Sequence, residues 1–187
     1  MITRNRVVHG IAVLMFVAVA SFVSAEIKPI EVTSLDGKRL TVGRGGELPE
    51  LVMVLATRCP VSNAYNSRMA AIAKEYEGKV KVVGVNPNET EDNAEVIRHA
   101  KENGLNFPVY RDPGLKLTEM WKLRVTPEVF LFDKAGKLYY SGRIDDSQEE
   151  SKIKSQDLRN ALDRLLSGKA AIVSETKPFG CSIKRMK

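Results

Sequence analysis

The sequence predicts one α/β domain built on a mixed sheet, and three observations lead there. The chain has 187 residues, 43% of them apolar, enough for one sizeable core and too short for a multidomain assembly. Its apolar periodicity switches repeatedly between strand-like alternation and helix-like stripes. One strand–helix–strand stretch has the length that favours parallel pairing with a right-handed crossover, whereas two other strand pairs read as antiparallel hairpins.

The elements follow in order. Ile30-Glu31-Val32 and Leu40-Thr41-Val42, joined through Asp36-Gly37, predict an opening hairpin. Leu51 to Ala56 reads as a buried central strand. Val61, Tyr65, Met69, Ile72 and Tyr76 fall on one helical stripe, which predicts a helix from Pro60 that stops by Gly78. Lys79 to Val85 is the next strand. Asp92 followed by Glu95 resembles a capping pair for a helix that buries Val96, Ile97 and Ala100 and ends by Gly104. Phe107 to Tyr110 predicts a short strand, and Asp112-Pro113 a brief helix through Trp121, with Met120 and Trp121 filling core. Glu128 to Phe132 and Leu138 to Ser141 flank the turn Asp133-Lys134-Ala135-Gly136 as a hairpin. A last helix, capped by Ser155, turns Leu158, Leu162, Leu165 and Leu166 inward and ends at Gly168. The domain organisation expected is a signal peptide over 1–25, the domain over 26–168, and a tail over 169–187 that carries Cys181.

The leader reading rests on Arg4 and Arg6, the apolar-to-small run Ile11 to Val23, and Val23-Ser24-Ala25 before Glu26. That run falls short of the roughly 20 residues a spanning helix needs. An uncleaved anchor is the competing reading. Removing Arg4 and Arg6 lowers the formal charge of +6 by two, and no basic stripe interleaved with aromatics is present, so nucleic acid is not an expected partner. The mature chain is expected in the periplasm or outside the cell, with no stable membrane span.

Cys59 carries the chemistry. It stands between a strand ending near Ala56 and a helix beginning at Pro60, where unpaired N–H groups of the first turn favour a thiolate. Arg58 adds a positive neighbour, and Thr57 and Ser62 supply hydroxyls to stabilise negative sulfur. The alternative is a buried structural cysteine. Val125-Thr126-Pro127 ahead of the strand Glu128 to Phe132 supplies the second signal: a cis proline there leaves the Thr126 backbone free to pair with an incoming peptide beside Cys59. The alternative is an edge or turn proline with no further role.

The motifs Thr57-Arg58-Cys59-Pro60, Val125-Thr126-Pro127-Glu128-Val129-Phe130 and Gly142-Arg143-Ile144-Asp145-Asp146, in this order, resemble the thioredoxin superfamily, and within it the redoxin group related to peroxiredoxins and extracytoplasmic thiol–disulfide oxidoreductases. The resemblance spans roughly 27–168, and Gly180-Cys181-Ser182-Ile183 is similar to the tail of some secreted members. It implies a thioredoxin-like fold, a central mixed sheet with helices on both faces and an N-terminal hairpin. The chain departs from the pattern at three places. Cys59-Pro60-Val61-Ser62 lacks the second cysteine of a Cys-x-x-Cys reductase. Thr57 stands two residues before Cys59, where peroxiredoxins place Thr three before. Pro127 takes approximately the position of their Arg.

What the resemblance then implies is thiol–disulfide exchange at Cys59, with Thr126 and Pro127 positioning a protein or small-molecule disulfide or thiol, no bound cofactor, and an unidentified redox partner. Cys181 is a candidate resolving cysteine, since the extended chain from Gly168, at about 3.3 Å per residue, reaches roughly 40 Å; the alternative is an exposed thiol that pairs with another chain. A thiol peroxidase, and a non-catalytic binding or assembly module, are the rival functions. Arg143, Asp145 and Asp146 are a possible rim of the site or a solvated loop. His99 has no partner at metal-ligand spacing, Asn88-Glu89-Thr90 fits a glycosylation acceptor, and glycines 43, 45 and 46 do not lead a strand into a helix, so no phosphate cradle is expected.

Overall fold

A computed structural model describes residues 27–186; the expected signal peptide, 1–25, lies outside them. The opening hairpin is β1 (Ile30–Ser34) and β2 (Arg39–Val42), with Ile30 opposite Val42. Next come β3 (Glu50–Val54), α1 (Pro60–Asn63), α2 (Asn66–Glu75), β4 (Lys81–Asn86), α3 (Asn93–Glu102) and β5 (Val109–Arg111). A 3₁₀ turn (Pro113–Leu115) leads into α4 (Lys116–Trp121), followed by β6 (Val125–Thr126), β7 (Glu128–Phe132), β8 (Leu138–Gly142), α5 (Asp157–Leu166) and β9 (Cys181–Ser182).

Seven strands form one sheet in the order β2-β1-β5-β4-β3-β7-β8. β3 pairs parallel with β4 and β4 with β5, and the other pairings are antiparallel, so the mixed sheet is as expected. Strand pleating sends alternate side chains to opposite faces. Leu51 and Met53 of β3 and Val129 and Leu131 of β7 enter one core with Tyr65, Met69, Ile72, Val96, Leu158 and Leu162. Val52, Val54, Phe130 and Phe132 enter a second core with Val83, Val85, Leu117 and Trp121. Helices therefore cover both faces. Each fully buried Leu or Phe contributes about 1.5–3 kcal/mol relative to exposure, and β3 and β7 are buried throughout because they lie between these two layers.

Several expectations are corrected. The helix expected from Pro60 to Gly78 is interrupted at Ala64 and Tyr65. Asn63 turns its amide back to the Thr57 carbonyl (2.9 Å) while Tyr65 reaches the other way to Asp145 (2.8 Å), and the ladder tightens to a Tyr65 N–H bond to the Ser62 carbonyl before restarting. Ile97, Met120 and Leu166 are not core: they are 50%, 46% and 40% exposed, because Val96, Trp121 and Leu162 take the inward positions of their helices. Ser155 does not cap α5; its hydroxyl bonds Asp157, and Gln156 precedes the helix.

The segment after Gly168 is a strap laid across the sheet end. Ser141 N–H donates to the Ser174 carbonyl and Thr176 N–H to the Ser141 carbonyl, both at 3.0 Å. The Thr176 hydroxyl bonds Tyr140 (2.7 Å) and accepts from Arg143 N–H (3.0 Å). Gly142 has φ +133°, and a Cβ there would overlap the Thr176 carbonyl, so the strap's path requires glycine in β8. Beyond buried Pro178 the strap crosses to β6 and pairs with it as β9.

Candidate active site

Cys59 is the cap residue of α1, 4% exposed, at the end of the loop from β3. Its Sγ accepts from Ser62 N–H at 3.3 Å, one of the first-turn donors that Pro60, lacking an N–H, does not add to. Because α1 has only four residues, this single N–H, more than a long helix dipole, acts on the sulfur. Cys59 forms a disulfide with Cys181, their Cα atoms 5.9 Å apart. The Thr126–Pro127 peptide bond is cis, and the Thr126 carbonyl oxygen lies 3.3 Å from Cys59 Sγ. A disulfide sulfur carries no hydrogen, so this is a close approach; in the reduced protein the thiol is placed to donate there.

The flanking residues are arranged differently from the sequence expectation. The Thr57 hydroxyl does not face the sulfur; it donates to Glu95 (3.0 Å). Arg58 forms a two-pronged pair with Glu95 at 2.7 and 2.6 Å, which neutralises its charge and holds the Glu95 carboxyl below the ordinary carboxylate range. The Ser62 hydroxyl accepts from Ala56 N–H (3.0 Å), joining the strand end to the helix start. Of these three residues, Ser62 alone bonds the sulfur, and through its backbone.

What holds the Cys59 loop is a carboxylate the sequence reading missed. Glu91, 1% exposed, accepts from Thr57 N–H (2.8 Å), Arg58 N–H (3.1 Å), Asn86 Nδ2 (2.7 Å) and Asn88 Nδ2 (2.9 Å). Burial pushes its pKa up, but the amide donors outweigh that and hold it below its ordinary value. Asn88 is the link onward: its Oδ1 accepts from Lys184 N–H (2.8 Å). The only sequence hint was a polar cluster, Asn86-Pro87-Asn88-Glu89, directly after a buried strand.

Cys181 is paired in register with Thr126, and Ser182 with Val125. The edge expected to await an incoming peptide is thus covered by the chain's own strap. Gly180 packs on the Thr126 carbonyl so closely that a Cβ would overlap it. Phe179 meets Tyr65 edge-on with centroids 6.2 Å apart, Ile183 packs against the second core, and Glu89 N–H donates to the Lys184 carbonyl (3.0 Å).

The remaining candidates are structural. Asp145, 3% exposed, pairs with buried Arg68 at 2.6 Å and accepts from Tyr65, so the solvated-loop alternative is corrected. Arg143 pairs with Asp157 (2.7 Å), and Asp146 accepts from Lys154 and Ser155 N–H groups. His99 Nε2 donates to Asn63 Oδ1 (2.9 Å), and burial pushes its pKa down. Asn88, the glycosylation acceptor of the sequence pattern, is buried with both amide atoms bonded, so it offers no acceptor at the surface.

Comparison with known proteins identifies relatives in sequence and in fold. The thiol-disulfide oxidoreductase ResA of Halalkalibacterium halodurans is 29% identical over 129 residues, 67% of this chain and 66% of that relative's length. An uncharacterised conserved protein from Geobacillus kaustophilus superposes with TM-score 0.77 at 26% identity, over 86% of this chain and 90% of that one. A hypothetical protein from Sinorhizobium meliloti gives 0.76 at 26%, over 86% and 93%. A secreted disulfide oxidoreductase of Mycobacterium tuberculosis, 18% identical, shares the fold with TM-score 0.58 over 73% of this chain and 96% of that one. Residues 23–141 match the AhpC/TSA family model, and with a thioredoxin-like sheet and a helix-start cysteine in place the chain belongs to the AhpC/TSA family, a redoxin of the thioredoxin superfamily.

Proposed function

We propose that the protein is an extracytoplasmic thiol–disulfide oxidoreductase in which Cys59 attacks and Cys181 resolves. The observation that carries this is the Cys59–Cys181 pair itself, with Cys181 held in register beside Thr126. In the reduced protein the Cys59 thiolate attacks one sulfur of a substrate disulfide; that bond breaks, one substrate thiolate leaves, and a mixed disulfide forms. The Cys181 thiolate then attacks Cys59 Sγ and expels the second substrate thiolate. The substrate gains two electrons and the protein ends as the Cys59–Cys181 disulfide, which an external dithiol must reduce. Ser62 N–H stabilises the thiolate, and Thr126 and Pro127 line the approach.

Peroxide reduction finds less support, because Thr57 and Arg58 are engaged with Glu95 and away from the sulfur. The leader residues Arg4, Arg6 and Ile11 to Val23 support export; among the described residues no helix is long and apolar enough to cross a membrane. The test is Cys181→Ser: with a disulfide substrate it accumulates a mixed disulfide on Cys59 that mass spectrometry identifies, while Cys59→Ser forms none. Adducts on Cys181 in the Cys59→Ser protein at the wild-type rate would reverse the assignment.

A further inference from the structure

We propose that the β6 edge selects, in a polypeptide partner, for glycine immediately before the reacting cysteine, and that the strap competes with the partner as the resident occupant of that edge. The inference rests on Cys59 exchanging with disulfides, and it names the partner: an extended polypeptide segment of the pattern apolar-Gly-Cys-x-apolar.

The geometry supplies each position. Cys59 bonds one sulfur at a time, so a partner's cysteine takes the place of Cys181 opposite Thr126. The residue before it lies on the Thr126 carbonyl and close to Pro127 N, both backbone atoms that cannot yield as a flexible side chain would, and only glycine leaves room. Two positions before the cysteine, the Phe179 ring sits on Tyr65; two after, Ile183 packs against the second core. Ser182 is exposed and imposes no choice. Beyond it, Asn88 and Glu89 bond the Lys184 backbone N–H and carbonyl, which any residue except proline offers in full. Recognition over these residues therefore goes mainly through main chain and small pockets, the arrangement of strand addition to a sheet edge. A polypeptide partner competes with the strap for this edge, whereas a low-molecular-weight thiol needs only the sulfur.

The experiment uses full-length Cys181→Ser protein carrying glutathione on Cys59, challenged at equilibrium with the synthetic peptides Phe-Gly-Cys-Ser-Ile-Lys and Phe-Ala-Cys-Ser-Ile-Lys. Peptide thiolate displaces glutathione thiolate with no net redox change, and mass spectrometry reads the ratio of adducts. Evicting the strap, by Gly180→Ala or independently by Lys184→Pro in the same background, is expected to raise the ratio for the glycine peptide about tenfold, and the alanine peptide is expected to stay about tenfold behind. Equal ratios for the two peptides, or no gain in either evicted variant, would overturn the proposal. Failure of glutathione to attach to Cys59 in every variant would instead overturn the exchange reading beneath it.

Discussion

Cys59 sits on a loop tied to the body of the domain by buried Glu91, whereas Cys181 sits on a strap held by main-chain bonds at the surface. Cys59 is 4% exposed and adjoins two completely buried residues of the β3 exit, Leu55 and Ala56, through Thr57 and Arg58. Cys181 is half-buried, and its neighbours Gly180 and Ser182 are exposed. The difference suits the two jobs of the proposed exchange. A sulfur that must be ionised and aimed benefits from a fixed frame, and one that must arrive second benefits from a segment able to leave and return. Asn88 joins the two regions, since one amide bonds Glu91 on one side and the strap backbone on the other.

Four measurements break or sharpen that contrast. The largest effect is expected from reduction. The disulfide spans a sequence separation of 122 residues, and in the chain-entropy account closing a loop of that size contributes about 5 kcal/mol, so denaturant unfolding should show the reduced protein less stable by up to that amount. Asp145→Ala comes next: it leaves Arg68 buried without its partner, and a loss of about 3–5 kcal/mol in thermal or denaturant unfolding is expected. Under native conditions Cys59 should still form its adduct, which separates fold support from chemistry.

Glu91→Gln is smaller and more local. Its amide supplies one acceptor oxygen where the carboxylate supplied two, so a loss of about 1–3 kcal/mol is expected, together with faster hydrogen exchange at Thr57 and Arg58. The pH sign follows from the lowered pKa. The Glu91 contribution is complete above its ordinary value of 4.5 and is lost as pH falls through the lower folded value. Unfolding measured along an acid series should therefore show a steeper decline in the wild type than in Glu91→Gln, the other lowered carboxylates such as Glu95 and Asp146 declining in both. The smallest effect belongs to Thr176→Val, which removes the hydroxyl bonded to Tyr140 and Arg143; about 1 kcal/mol of strap docking is lost, read as roughly fivefold slower closure of Cys181 on Cys59, with little change in the first adduct when the substrate is a low-molecular-weight disulfide.

Several of these features are legible in the sequence. The stripe Tyr65, Met69, Ile72 and Tyr76 is buried as its spacing required, since residues three and four apart share a helix face whatever the neighbours. Asp92 caps α3 through Glu95 N–H for the same local reason. Other features were not. Thr57 reads as a hydroxyl donor to sulfur and Arg58 as its positive neighbour because they adjoin Cys59, yet Glu95, far away in sequence, takes both. A buried Glu91 gives no sequence signal of its own, because its stability depends on donors from two separate segments, the Thr57 and Arg58 backbone and the Asn86 and Asn88 side chains, converging on it. The strap reads as a tail in the sequence because short polar stretches have no periodicity to reveal that they pair with another strand.

The sequence by itself determined the alternation of strands and helices, the place of Cys59 at a helix start, and the glycines and prolines that shape the turns around it, because those follow from backbone sterics and side-chain period within a few residues. Only the tertiary structure decided which groups face Cys59 Sγ, that Glu91 fixes its loop, and that Cys181 lies opposite Thr126 on an occupied sheet edge. Those depend on hydrogen bonds between residues far apart along the chain, whose partners are chosen by how the layers pack.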